Sequence, residues 1–198
     1  MTDDPLQVTR QTYDANAETY AQINADSAPI QHVLDAFMRH CPGRALLDVG
    51  CGPGRDAAYF AARGYRVCGV DLSGSMLRLA RQTAPGAAFA QADMRALPFA
   101  AAVFDGVWVC ASLLHLPKAQ APAAVRAFAW LARPGGIVYV GVKAGAGEAL
   151  VSAPAFADGE RFFAFYQEAE VVALLETAGL RVVERLKQAG WINVFARR

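Results

Sequence analysis

The apolar positions change period along the chain, and the changes divide it into elements. Gln7 to Ile23 is polar with scattered tyrosines, and the next stretch carries Ile30, Val33, Leu34, Phe37 and Met38 at helical spacing, so two N-terminal helices are expected. Cys41-Pro42-Gly43 stops the second helix. Ala45 to Val49 is then a short continuous apolar run, the pattern of a strand covered on both faces. From there strand and helix alternate: a helix over Asp56 to Arg63 stopped by Gly64, a strand over Arg66 to Val70, and a helix opened by Ser73 as N-cap with Met76, Leu77 and Ala80 inward. A weak strand near Ala88 to Gln91 and a stronger one over Val103 to Cys110 follow. A helix over Lys118 to Ala132 should end at Arg133-Pro134-Gly135-Gly136, before a strand over Ile137 to Val142. Beyond a Gly- and Ala-rich connection come a helix over Glu168 to Thr177 and two β-rich runs, Leu180 to Leu186 and Trp191 to Ala196, which read as a hairpin.

Repeated β-α units force a doubly wound, mostly parallel α/β sheet with right-handed crossovers, and such sheets bind ligands outside the carboxyl ends of their strands. Composition narrows the picture. At 198 residues, 55% hydrophobic and 19% charged, the chain suits one globular domain, with residues 1–42 as N-terminal helices capping a core over 43–198. A net charge of +1 gives no field for recruiting nucleic acid. The first residues lack the order of a secretory signal and no apolar run reaches the roughly 20 residues of a membrane span, so a cytoplasmic protein, monomeric or homodimeric, acting on a small molecule is expected. The four cysteines, Cys41, Cys51, Cys68 and Cys110, have neither C-x-x-C spacing nor a histidine pair nearby, and no metal is expected.

The chemistry concentrates in Asp48-Val49-Gly50-Cys51-Gly52-Pro53-Gly54, a glycine turn between the first strand and a helix. A dinucleotide loop would carry a third glycine where Arg55 stands, and Pro53 offers no N–H to a pyrophosphate. Asp48 would repel a diphosphate and attract a ligand bearing ammonium and sulfonium charges. Asp71 ends the second strand about twenty positions later, where a carboxylate can accept from both ribose hydroxyls; Ser73 already fills the capping role beside it.

With these residues the chain resembles the class I S-adenosylmethionine-dependent methyltransferases, whose first motif reads much like Leu47 to Gly54. The resemblance runs from roughly Tyr13 to the C-terminus. It implies a seven-stranded Rossmann-like sheet with a C-terminal antiparallel hairpin, and S-adenosylmethionine as donor. It implies donor contacts from Tyr20, Asp48, Gly50, Cys51, Gly52, Gly54, Asp71, Leu72 and Met76. Asp93 and Met94 would form the adenine segment, and Cys110 and Ala111 the stretch beside the methionine moiety.

On the acceptor side, methyl transfer needs chiefly in-line positioning and exclusion of water. His115 is the only histidine near the expected site suited to act as a base. Its plain alternative is a histidine tied to backbone. Asp105 reads as a strand or turn residue rather than a ligand contact. Tyr13 and Tyr20, seven apart, fall on one helix face, a possible lid. Lys143, Arg161, Phe162, Phe163 and Tyr166 form a mix suited to a flat or anionic acceptor. The base-methylating (Asn/Asp)-Pro-Pro-(Tyr/Phe) signature is absent, as is a proline before Cys110, which argues against a nucleic-acid base. A nicotinamide- or flavin-dependent oxidoreductase and a non-catalytic donor-binding module are the alternatives.

Overall fold

The computed structural model describes residues 4–152, 155–156 and 159–198. Helices α1 (Pro5–Ala15), α2 (Ala17–Ile23) and α3 (Gln31–His40) lead into β1 (Ala45–Val49), α4 (Arg55–Ala61), β2 (Arg66–Asp71), α5 (Gly74–Thr83) and β3 (Ala88–Gln91). The chain continues through β4 (Phe104–Cys110), α6 (Ala121–Leu131), β5 (Ala132–Lys143), β6 (Glu148–Ser152), β7 (Glu160–Ala164), α7 (Glu168–Thr177), β8 (Arg181–Gln188) and β9 (Trp191–Arg197). Seven strands make one sheet in the order β3-β2-β1-β4-β5-β9-β8; β6 and β7 pair separately. Strands β1 to β5 run parallel, and β9 is antiparallel to both β5 and β8. The order reverses beside β1, so the carboxyl ends of β1 and β4 flank the crevice in which such sheets take ligands.

Local chemistry explains the element boundaries. Asp4 caps α1 by accepting from the Leu6 N–H at 3.1 Å, with Pro5 in the first turn, so this helix starts ahead of the expected Gln7. The expected single helix to Ile23 is two: both the backbone N–H and the side-chain amide of Asn16 donate to the Thr12 carbonyl, at 3.1 and 2.9 Å, and the chain turns there. Ser73 caps α5 as expected, accepting from the Met76 N–H at 3.1 Å. Helix α6 stops at Leu131, and Pro134-Gly135-Gly136 do not form a free turn. They lie inside β5, where Gly135 donates to the Arg198 carbonyl at 2.9 Å and an irregularity in the β4 pairing absorbs the extra length. The Gly- and Ala-rich connection, in which no strand is expected, holds the β6–β7 hairpin.

The core fills both faces of the sheet. On the α3–α4 side Trp108 stacks on Tyr139 at 4.0 Å, against Phe37, Phe60 and Phe195. The indole N–H of Trp108 donates to Asp56 at 3.0 Å while Arg55 donates to the other oxygen at 2.7 Å. A buried carboxylate is thereby satisfied, and the start of α4 is pinned beneath the glycine turn. Helix α1 lies across β7, joined by Thr12 Oγ1 donating to the Glu160 carbonyl at 2.6 Å and the Phe162 N–H donating to Thr9 Oγ1 at 2.9 Å. This helix and hairpin wall the open side of the crevice.

Candidate functional site

The glycine turn is built by left-handed backbone at Gly50, Gly52 and Gly54, with φ of 72°, 53° and 86°. The three serve different ends. A Cβ on Gly50 would collide with the side chain of Ser112, whose hydroxyl donates to the Val49 carbonyl at 2.6 Å. One on Gly54 would lie 2.9 Å from the Cα of Ala80, so this glycine permits close packing of α4 on α5 and does not face a ligand. Above Gly52 the space is open apart from the Tyr20 ring, 3.9 Å from such a Cβ. Only Gly50 and Gly52 of the three line the cleft that follows.

That cleft, about 110 Å³, runs over the ends of β1, β2 and β4 and is lined by Gly50, Gly52, Asp71, Leu72, Met76, Asp93, Met94, Cys110, Ala111, Tyr20 and His115 among the expected residues. Asp71 is its best-ordered acid: one oxygen accepts from the Gly52 N–H and the other from the Ser73 N–H, each at 2.8 Å. Burial lifts its carboxyl above its ordinary value against the pull of those N–H groups. Each oxygen keeps a lone pair for a further donor. Asp93, two residues beyond β3, is held by Arg95 in a 2.6 Å ion pair; burial alone would raise this carboxyl, but the guanidinium and the Arg95 N–H bring it below its usual value. Ala111 has φ of 53°, a left-handed alanine at the turn out of β4.

Three expected contacts fall elsewhere. Gly54 packs helices. Cys51 is buried and lines neither the cleft nor the cavity beside it. Asp48 is also buried beneath the turn, with one oxygen unpartnered among the described residues. Burial, then Asp56 and Asp71 nearby, pushes its carboxyl well above its ordinary value, and the side chain lies outside the cleft lining. The acids that face the cleft are Asp71 and Asp93. Asp105, read as structural, accepts from the Ala45 N–H at 2.9 Å and pairs with Arg133 at 2.8 Å.

A second cavity of about 730 Å³ adjoins the cleft, and Tyr13, Tyr20, Cys110, Ala111 and His115 line both. His115 is held at this junction from two sides. Its Nδ1 lies 2.6 Å from the Phe162 carbonyl, which can only accept, so Nδ1 carries the proton and Nε2 accepts from the Tyr13 hydroxyl at 2.9 Å. Burial holds the imidazole down to about 4 despite that carbonyl. Tyr13 also accepts from Arg161 at 3.2 Å. Burial raises the Tyr13 phenol and the Cys110 thiol.

Sequence reasoning missed Thr9, Arg10 and Ser112 in the cleft, and Tyr139, Trp191 and Asn193 in the cavity. Ser112 follows Ala111 directly and its small hydroxyl was a legible signal. The others depend on which strands are neighbours. Among the described residues, no cluster suited to a metal and no helix long and apolar enough to cross a membrane is found.

Comparison with known proteins agrees with this layout. The family model described as a methyltransferase domain matches residues 46–136. A malonyl-[acyl-carrier protein] O-methyltransferase of Enterobacter lignolyticus is 37% identical over 107 residues, 52% of this chain and 42% of the relative. A trans-aconitate 2-methyltransferase of Paracidovorax citrulli is 36% identical over 86 residues, 42% of this chain and 33% of the relative. The chain thus spans less than half the length of these curated relatives. The crystal structure of the 1,6-didemethyltoxoflavin-N1-methyltransferase of Burkholderia thailandensis, solved with 1,6-didemethyltoxoflavin and S-adenosylhomocysteine, superposes with a TM-score of 0.78 at 25% identity. It covers 97% of this chain and 88% of that one. The parallel sheet with its inserted last strand, the glycine turn over β1, the acid ending β2 and these likenesses agree: residues 46–136 match a methyltransferase domain, and the chain is similar in fold and motif to the class I S-adenosylmethionine-dependent methyltransferases.

Proposed function

We propose that this protein transfers a methyl group from S-adenosylmethionine to a small-molecule acceptor, as one domain whose N-terminal helices close over the donor. The observation that carries the reading is the joining of two spaces at one point. A cleft floored by Gly50, Gly52 and Asp71 opens past Tyr13, Tyr20 and Ala111 into a separate cavity, as a two-substrate transfer requires. The residues suit the donor: the uncovered backbone at Gly52 admits a close approach, and the Asp71 carboxylate has acceptor capacity to spare for ribose hydroxyls. When bound, S-adenosylmethionine supplies an electrophilic methyl on a sulfonium.

In this reading Asp93 accepts from the adenine amine, Met94 packs on the ring, and the backbone of Cys110 and Ala111 runs beside the methionine moiety. His115, expected as a base, is better suited to a positioning role: both ring nitrogens are engaged, and it holds Tyr13 at the junction. Calorimetry tests the donor half. S-adenosylhomocysteine should bind saturably, and Asp71→Ala should weaken it by about 1–3 kcal/mol, the usual loss for a charge-assisted hydrogen bond. No binding of either the donor or its demethylated product at millimolar concentration sinks the proposal.

A further inference from the structure

Among the described residues, two cations lining the second cavity, Arg161 and Lys143, have no acidic partner. Among the described residues, Arg161, half-buried on β7, makes one hydrogen bond, to Tyr13, and its buried Nε meets no acceptor. No carboxylate pairs with it among the described residues; instead the rings of Phe156, Phe163 and Tyr13 surround its guanidinium at 4.7, 5.1 and 5.6 Å. Lys143 lies 5.2 Å over the Trp191 ring, also without an ion pair among the described residues. The third cation of the lining, Arg55, is spent on Asp56. Asp26, the acid of the same lining, is exposed.

A half-buried guanidinium set among aromatic rings is steadied by a counter-charge, and its planar fork matches a carboxylate. Among the described residues, however, the junction lacks a free proton acceptor. His115 uses Nδ1 on Phe162 and Nε2 on Tyr13, and burial favours the neutral forms of His115, Tyr13 and Cys110 alike. An acceptor suited to this place brings its lone pair already deprotonated.

Resting on the methyl-transfer function above, we infer that the acceptor is a small organic carboxylate, flat enough to lie among the cavity's aromatic rings, anchored by Arg161 and methylated on a carboxylate oxygen. The oxygen–carbon bond forms as the carbon–sulfur bond breaks, and the electron pair of the broken bond stays on sulfur. A carboxylate and a sulfonium become a neutral methyl ester and a neutral thioether, with no proton to remove. Such charge cancellation is favoured where water is excluded. The ester no longer pairs with Arg161, which aids its departure.

The test gives the protein S-adenosylmethionine labelled in the methyl group, with benzoate, phenol and benzylamine in separate reactions and a small-molecule cell extract in another. Products are then treated with mild alkali, which frees labelled methanol from a methyl ester and leaves ethers and methylamines intact. Alkali-labile label from benzoate or the extract is expected. Arg161→Gln should cut kcat/KM by roughly 100-fold, chiefly through KM, with S-adenosylhomocysteine affinity kept within about threefold and partial recovery in Arg161→Lys. Alkali-stable label overturns the inference, as does an Arg161→Gln variant as active as the parent. Donor binding without any labelled product overturns it too, while leaving the donor reading standing; failure to bind the donor removes the function on which it rests.

Discussion

At Gly50 one missing methyl group sets the shape of the cleft floor. Its backbone is left-handed at φ of 72°, and the Ser112 side chain fills the place a Cβ would need. Gly50→Ala should therefore displace Ser112 from the Val49 carbonyl, lowering stability by about 1–3 kcal/mol and S-adenosylhomocysteine affinity by roughly tenfold or more, measured by urea unfolding and calorimetry. Asp48 makes the opposite case. Its residue type was legible in the motif, but whether a carboxylate at a strand end lies over or under the following turn depends on packing with Asp56 and α4, which no local spacing encodes. Because burial raises its folded-state carboxyl, the native chain holds a proton that the unfolded chain releases, and stability falls as pH rises from the ordinary value of 3.8 upward. Asp48→Asn should flatten that fall. The check is the difference in unfolding free energy between parent and variant at each pH, in which the opposing effect of His115 cancels; a pH-independent difference would show that Asp48 ionises freely in the fold.

At the scale of elements, the wall over the crevice is held by two threonines. Thr9 accepts from the Phe162 N–H, and the next residue outward on that face of α1, Thr12, donates to Glu160. Thr9→Val keeps the volume and strands the Phe162 N–H. The expected cost is about 1–3 kcal/mol, confined to α1 and β7: hydrogen exchange should quicken at Phe162 and its neighbours while β1 and β4 stay protected. Equal acceleration throughout would mean that helix and hairpin are one cooperative unit with the sheet. The elements were legible where burial imposes a period. The continuous apolar run of β1, the Ser73 cap of α5 and the span of α7 were read directly. The β6–β7 hairpin was not, because Glu148–Ser152 is mostly exposed and its pairing with β7 leaves no alternation to find. The break at Asn16 likewise turns on one side chain competing for a helical carbonyl.

For the whole molecule, the doubly wound sheet followed from the alternation of elements, and most of the cleft lining from motifs lying within single β-α turns. The acceptor half was less legible because Tyr13, Arg161, Phe163 and Trp191 come from distant parts of the chain and meet only through tertiary packing. Donor binding should register on the fold as a unit: S-adenosylhomocysteine at a hundred times its dissociation constant stabilises by about 2.7 kcal/mol, an expected rise in Tm of roughly 5–10 °C for a chain of this size. NAD at the same concentration should leave Tm in place, and a comparable rise with NAD would return the dinucleotide reading. The strand order has a consequence for synthesis. Strand β9 lies between β5 and β8, so β8 leaves the ribosome before the strand it pairs with among the described residues. Until Trp191–Arg197 emerges, the β5 edge stays unpaired and β8 has no partner in the sheet, so the nascent chain carries an unsealed seam that closes last.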